Sequence, residues 1–218
     1  MSKPVLLAII LITLTAYPFC ASASANSQVG VQKGDWIRYN VKVTGNPSSD
    51  ENITWAKMEI ITVQGPVITV NVQTEFANGT LFPENGIVLN LDTGAIGDGF
   101  FVPTNIAPGD QYKTEYEGIV NITGMGTLEA GGAQRSVILG SAALTNYFWD
   151  KQTGIMVAAT STYPTYTMYT TTSQTNIWQP QILGLNQAVF YAIVAIVTII
   201  LVAFILSFLF WHRKTGTK

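Results

Sequence analysis

Apolar and polar residues alternate with a period of two along most of this chain, and that pattern predicts a β protein. In 36–43 the residues Ile37, Tyr39, Val41 and Val43 share one face and Arg38, Asn40 and Lys42 the other. Segment 67–76 alternates in the same way, with Ile68, Val70, Val72, Thr74 and Phe76 on one side, and 54–63 sets Ala56, Met58 and Ile60 opposite Lys57 and Glu59. Further strands are expected at 86–91, 118–128, 134–139, 144–149, 154–160 and 163–171. Turn residues separate them: Gln64-Gly65-Pro66, Asn78-Gly79, Asp92-Thr93-Gly94, Gly131-Gly132 and Lys151-Gln152-Thr153-Gly154. Short strands at this spacing, with no long helical periods between them, imply an antiparallel sheet. The inward set expected from the alternation is Ile37, Tyr39, Val41, Met58, Ile60, Ile68, Val70, Val72, Val120 and Ile122, since a slip of one residue would expose all of it.

Three stretches break the pattern. Residues 97–109 are rich in Gly and Pro around Phe100-Phe101-Val102, as a loop or a short helix plugging one side of the sheet would be. Residues 160–175 hold eight threonines interleaved with Tyr163, Tyr166 and Tyr169. Thr and Tyr both favour strands, and the competing reading is an O-glycosylated stalk. The third stretch is 188–210, 23 residues without a charged side chain. A bilayer core about 30 Å thick takes roughly 20 apolar helical residues, so this is expected to be a transmembrane helix, with the lipid bilayer as its partner.

The chain's ends then assign themselves. Lys3 precedes an apolar run at 5–14, followed by Ala21-Ser22-Ala23-Ser24-Ala25, the layout of a signal peptide (1–25) cleaved at Ala23 or Ala25. An uncleaved anchor and a lipid-modified Cys20 are the other readings weighed. Trp211-His212-Arg213-Lys214 follows the apolar run, whereas 152–211 carries no Asp, Glu, Lys or Arg. Positive flanks stay inside, so the expectation is a single-pass cell-membrane protein with its N-terminal domain (26–178) outside, a linker (179–187) and a cytoplasmic tail (211–218).

Composition narrows the chemistry. Net charge is −2 and no basic stretch could track phosphates, which argues against nucleic acid. The one cysteine, Cys20, and the one histidine, His212, both lie outside 26–178, which leaves that region without a disulfide, a Cys or His nucleophile, a Ser-His-Asp triad or a histidine metal site. No cofactor or metal is expected. A calcium site among Asp92, Asp98 and Asp110 would lack the alternating oxygen ligands of known calcium loops.

Asp92-Thr93-Gly94-Ala95 follows an apolar strand, as the catalytic loop of an aspartic protease does. A turn explains the same residues. No second copy of the motif occurs, and Asp150-Lys151-Gln152-Thr153-Gly154 has a similar composition between two strands. A carboxylate-based hydrolase is therefore the alternative to a non-enzymatic module. Asn52, Asn78 and Asn121 each head an Asn-x-Thr sequon and are glycosylation candidates, although about two such matches are expected by chance at this composition.

Two signatures, Lys33-Gly34-Asp35-Trp36-Ile37-Arg38-Tyr39 and 147–157 (YFWDKQTGIMV), resemble those of a loose group of archaeal surface proteins with a signal peptide, a β domain and a C-terminal anchor. In outline such domains are similar to the lipoprotein-carrier (LolA-like) half-barrel. The resemblance implies a single curved antiparallel sheet with a short plug, in which Phe100 and Phe101 are the plug and mark a binding cleft. A β-sandwich is the competing architecture. The implied role is a surface module that is an envelope structural component or that binds an apolar lipid, a glycan or an envelope protein.

Overall fold

The computed structural model describes residues 27–97 and 99–215, so the expected signal peptide (1–25) and Asp98 lie outside the described residues. The chain forms one mainly β unit followed by one apolar helix. The strands are β1 (Trp36–Gly45), β2 (Ile53–Gln64), β3 (Val67–Phe76), β4 (Leu81–Asn90), β5 (Gln111–Thr114), β6 (Gly118–Ala130), β7 (Ala133–Ser141), β8 (Thr145–Asp150), β9 (Met156–Thr162) and β10 (Tyr166–Thr175). They form a single antiparallel sheet in the order β4-β3-β2-β1-β10-β9-β8-β7-β6-β5. A two-stranded ribbon, β11 (Gln181–Ile182) and β12 (Leu185–Asn186), leads into helix α1 (Gln187–Thr215). One sheet rather than two excludes the sandwich.

The sheet is open, since its edge strands β4 and β5 do not pair, and it is curved. The long β6–β7 hairpin bends back so that the Gly131 N–H donates to the Thr172 carbonyl of β10 (3.3 Å). Register bulges in β2, β4, β6, β9 and β10 supply local bends. The expected inward set faces the hollow: eight of its ten residues are buried, and Val41 and Val72 are half-buried. Side chains opposite one another share a face, so the register gives rows across the hollow. One runs Val41–Thr170–Ala159–Tyr147–Gly140–Ile122 from β1 to β6. The threonine-rich run is a central strand, β10, not a stalk.

Residues 96–97 and 99–102 fill the hollow as turns and extended backbone, without helix. Phe101 bridges Ile155, the Val102 N–H donates to Gly154 O (2.9 Å), and the Met156 N–H donates to Phe100 O (2.8 Å). Ile96, Phe101 and Val102 are buried. Gly99 lies against Tyr147, where a Cβ would sit 2.6 Å from the ring, and its carbonyl accepts the Trp149 indole N–H (2.6 Å). At Gly99 the plug therefore has no room for a side chain. Gly140 has the matching role in the wall, since a Cβ there would lie 2.5 Å from Trp149.

The convex face is polar with aromatic cover. Arg38 and Lys57 stand directly opposite in β1 and β2, a like-charge pair that would repel. Each cation lies instead over an indole: Arg38 4.3 Å from the Trp55 ring centre and Lys57 5.2 Å from Trp36.

Two tyrosines tie the core to its surroundings. The Tyr39 hydroxyl donates to Met156 O (2.8 Å) and the Tyr112 hydroxyl to Leu91 O (2.8 Å). Burial pushes both phenols above their ordinary value, and the Asp92 charge adds to this at Tyr112. Unfolded phenols ionise near pH 10. Above that pH the folded state holds more protons than the unfolded one. The stabilisation is therefore complete below about pH 10 and is lost as pH rises beyond it. Far-UV circular dichroism should show alkaline unfolding, and Tyr39→Phe with Tyr112→Phe should flatten that limb relative to wild type.

Candidate functional site

The plug divides the hollow into a filled end and an open end. At the filled end, where β1 begins and β10 finishes, Ile37, Met58, Ile60, Ile68, Leu89, Ile138 and Trp149 share one buried cluster with Ile96 and Phe101. Phe100 is half-buried at the boundary, its ring 6.4 Å from that of Tyr39. The two plug phenylalanines thus have different surroundings: Phe101 is core, and Phe100 is the floor of what lies beyond.

Beyond it the concave wall continues for two more rows of side chains. Val41 and Thr170 form one, and Val43, Met168, Ser161 and Thr145 the next. On the other flank Phe82, Thr74 and Ala56 form a row across β4, β3 and β2. Val41, Val43, Met168 and Phe76 are half-buried, and Phe82 is 51% exposed. This mouth is apolar on the β1–β4 side and carries hydroxyls on the β8–β10 side. On the hydroxyl side the Glu117 carboxylate accepts from Thr145 Oγ1 and from Tyr147 Oη (2.9 Å), and Thr145 shares a hydrogen bond with Ser161 (2.9 Å). The rim beside β10 carries the stacked Tyr163 and Tyr166 rings, 4.5 Å apart. Hydrogen bonds from Ser48 and then Tyr166 hold the nearby Glu51 carboxyl below its ordinary value.

Sequence reasoning found the plug and Val41 but missed Phe82 and Met168. Phe82 precedes the stretch of β4 that alternates, and Met168 is hidden among threonines. Only the register places them.

The Asp92-Thr93-Gly94 segment is a turn at the end of β4 that returns the chain to the plug, rather than a link between two strands. The Asn90 side chain accepts the Asp92 N–H (3.0 Å), Thr93 Oγ1 donates to Asn90 O (3.3 Å), and Asn90 bridges Ala95. Gly94 has φ +76°, and a Cβ there would lie 2.0 Å from Lys113 O. Asp92 is exposed, and its carboxylate accepts the Ser27 N–H (3.3 Å). It shares an open depression of about 750 Å³ with Asp110, Tyr112 and Lys113, and the Asp110 carboxylate accepts the Ala107 N–H (2.8 Å). A backbone amide thus bonds one oxygen of each carboxylate. Among the described residues no three His, Cys, Asp or Glu side chains come together as a metal site would need.

The sequon asparagines are all exposed. Asn78 Oδ1 accepts the Thr80 N–H (2.9 Å) in the β3–β4 turn, Asn121 Oδ1 accepts from Gln111 Nε2 (3.0 Å), and Asn52 follows the short 3-10 turn Ser49–Glu51.

No protein-family model and no curated protein matches the chain. Among solved structures, the crystal structure of MucB aligns with it at 8% identity and a TM-score of 0.39, over 72% of this chain and 57% of that one. The chain therefore spans less than two thirds of MucB, and a likeness at this level says nothing of ligand or activity.

The remaining feature is the exit from the sheet. Trp178 is buried, its indole N–H donates to Ala130 O (2.9 Å), and the Arg135 guanidinium lies 4.7 Å over its ring. Arg135 also pairs with the buried Asp150 (2.7 Å). The Gln181 N–H donates to Gly132 O (2.7 Å), and the Gln134 N–H donates to the Gln181 side chain (3.2 Å). Residues 176–182, partly expected as linker, are thus docked on the β6–β7 hairpin. α1 begins six residues after Gln181, and 187–208 is long and apolar enough to cross a membrane.

Proposed function

We propose that the protein is a membrane-anchored, non-enzymatic β module that holds an apolar or amphiphilic ligand in the open mouth of its half-barrel. One observation carries the reading: Val41, Val43, Phe76, Phe82 and Met168 lie on the inward face of the sheet beyond the plug, and none of them is fully buried. Exposed apolar surface collected on a concave face marks a binding site more often than scattered surface residues do. The wall is amphiphilic, with hydroxyls of Thr170 and Ser161 opposite the apolar flank, which suits a lipid tail with a polar head or an apolar peptide better than a bare hydrocarbon. The apolar run of α1 and the basic residues after it support a single-pass anchor with the β domain outside. Asn52, Asn78 and Asn121 are then available to glycan.

Binding of a polarity-sensitive apolar dye to the purified full chain tests the reading. Val41→Lys and Met168→Lys each place a charge on the half-buried wall and should weaken dye binding by about tenfold or more, roughly 1.4 kcal/mol. They should leave the circular dichroism spectrum unchanged. Unaltered dye affinity in both variants would refute the mouth as the site. Asp92→Asn provides the check on the hydrolase alternative. Asn keeps a turn intact, so fold and dye binding should persist, and a hydrolytic activity that disappears in this variant would overturn the non-enzymatic reading.

A further inference from the structure

The ribbon between the β domain and α1 has an unexpected turn. Ile182 pairs with Leu185, so Leu183-Gly184 is a two-residue hairpin loop. Both residues have positive φ, +53° at Leu183 and +77° at Gly184. This is the geometry of a type I′ turn, whose first position is normally Asn, Asp or Gly. Among the described residues Leu183 is the non-glycine residue with positive φ, and a branched side chain is strained there. Nothing within the domain repays it, because Leu183 is 89% exposed, and its neighbour Leu185 is 39% exposed. An asparagine would suit both the backbone and water. A leucine suits the position only if the side chain is buried by something outside the described chain.

The surroundings identify that partner. The ribbon ends at Asn186, whose side chain accepts the Val189 N–H of the first turn of α1 (2.9 Å), so it is continuous with the apolar helix. On its other side the ribbon is fixed to the sheet through Gln181 and Trp178. No charged residue occurs from 152 to 211, so nothing in this segment resists entry into an interface. From these facts we propose that the 181–186 ribbon is a lipid-contacting wedge whose Leu183 and Leu185 side chains insert into the bilayer interface beside α1. The wedge and the docked Trp178 together seat the β domain on the membrane in one orientation, with the open mouth at the far ends of the strands. The proposal rests on the membrane-anchor reading of α1.

Cysteine accessibility in the full chain separates the possibilities. In a Cys20→Ser background, Leu183→Cys, Asn78→Cys and Ile199→Cys are reconstituted singly into phosphatidylcholine vesicles and exposed to a charged, membrane-impermeant maleimide. Complete labelling after denaturation confirms that each thiol is intact. The expected result is labelling of Asn78→Cys and loss of labelling at both Leu183→Cys and Ile199→Cys. Free labelling of Leu183→Cys with Ile199→Cys still protected would overturn the wedge while leaving the anchor intact. Labelling of Ile199→Cys would overturn the anchor and the wedge together. Protection of Leu183→Cys that vanishes when protein is diluted in lipid would mean that a second copy covers it. Protection seen in cells but not in vesicles would mean that another protein does. Either result overturns lipid contact.

Discussion

Trp149→Ala should cost about 3–5 kcal/mol, the range for deleting a fully buried aromatic side chain. Trp149 is completely buried, stacks on Tyr147 with ring centres 4.8 Å apart, and touches the surface that Gly140 leaves bare. Its indole N–H also satisfies the Gly99 carbonyl of the plug, so truncation leaves an unpaired acceptor in addition to a cavity. Trp149→Phe should recover part of the packing but not the hydrogen bond. Urea titration measures both. The alanine variant should fall by this amount from a typical domain's stability of about 5–15 kcal/mol, with phenylalanine intermediate. A loss of less than about 1 kcal/mol in the alanine variant would show that the plug is not packed as described.

Gly154→Ala should be nearly as damaging, although it adds only a methyl group. Gly154 has φ +72°, and a Cβ would lie 2.1 Å from the Val102 carbonyl. Backbone cannot rotate away as a side chain can, so either the plug or the β8–β9 turn must shift. The hydrogen bonds at stake are those from Val102 N–H to Gly154 O and from Gly154 N–H to Asp150 O. Overpacking of this kind costs about 1–3 kcal/mol, and the left-handed backbone adds about 1–2 kcal/mol. Gly65→Ala is the matched control. It too has positive φ but nothing within 4 Å, so it should lose only the backbone part. Equal losses in the two variants, compared by thermal unfolding, would mean that contact with the plug is unimportant.

The alternating pattern made the strands and their inward faces legible, because burial on one side of a sheet leaves a period of two in the sequence. It failed where that physics is absent. Strand β5 is four residues, Gln111–Thr114, too short to show a period. The first half of β4, Leu81 to Asn85, is exposed on both faces and so does not alternate in burial. Val41 is half-buried because it lies past the reach of the plug, and Val72 because it sits one strand from the open edge, in the row with Glu84. The plug was legible from its glycines and phenylalanines. That it would be extended follows from its pairing with 154–156, a contact between residues some fifty positions apart that leaves no local signal. The docked exit was invisible for the same reason: Trp178, Arg135 and Gly132 meet only because the β6–β7 hairpin bends back. The mouth combines both cases. Val41 could be read from its strand, whereas Phe82 and Met168 join it only through register.

Photocrosslinking from the wall of the mouth tests the central claim most directly. A photoreactive amino acid replaces Met168 in one full-length variant and Lys42, on the convex face of β1, in another. Each is illuminated in its native membrane and the purified protein is weighed by mass spectrometry. Occupancy of the mouth predicts a discrete added mass, that of an apolar or amphiphilic molecule, at position 168 and none at 42. Bare protein at both positions, or the same adducts at both, would contradict a ligand held in the open end of the half-barrel.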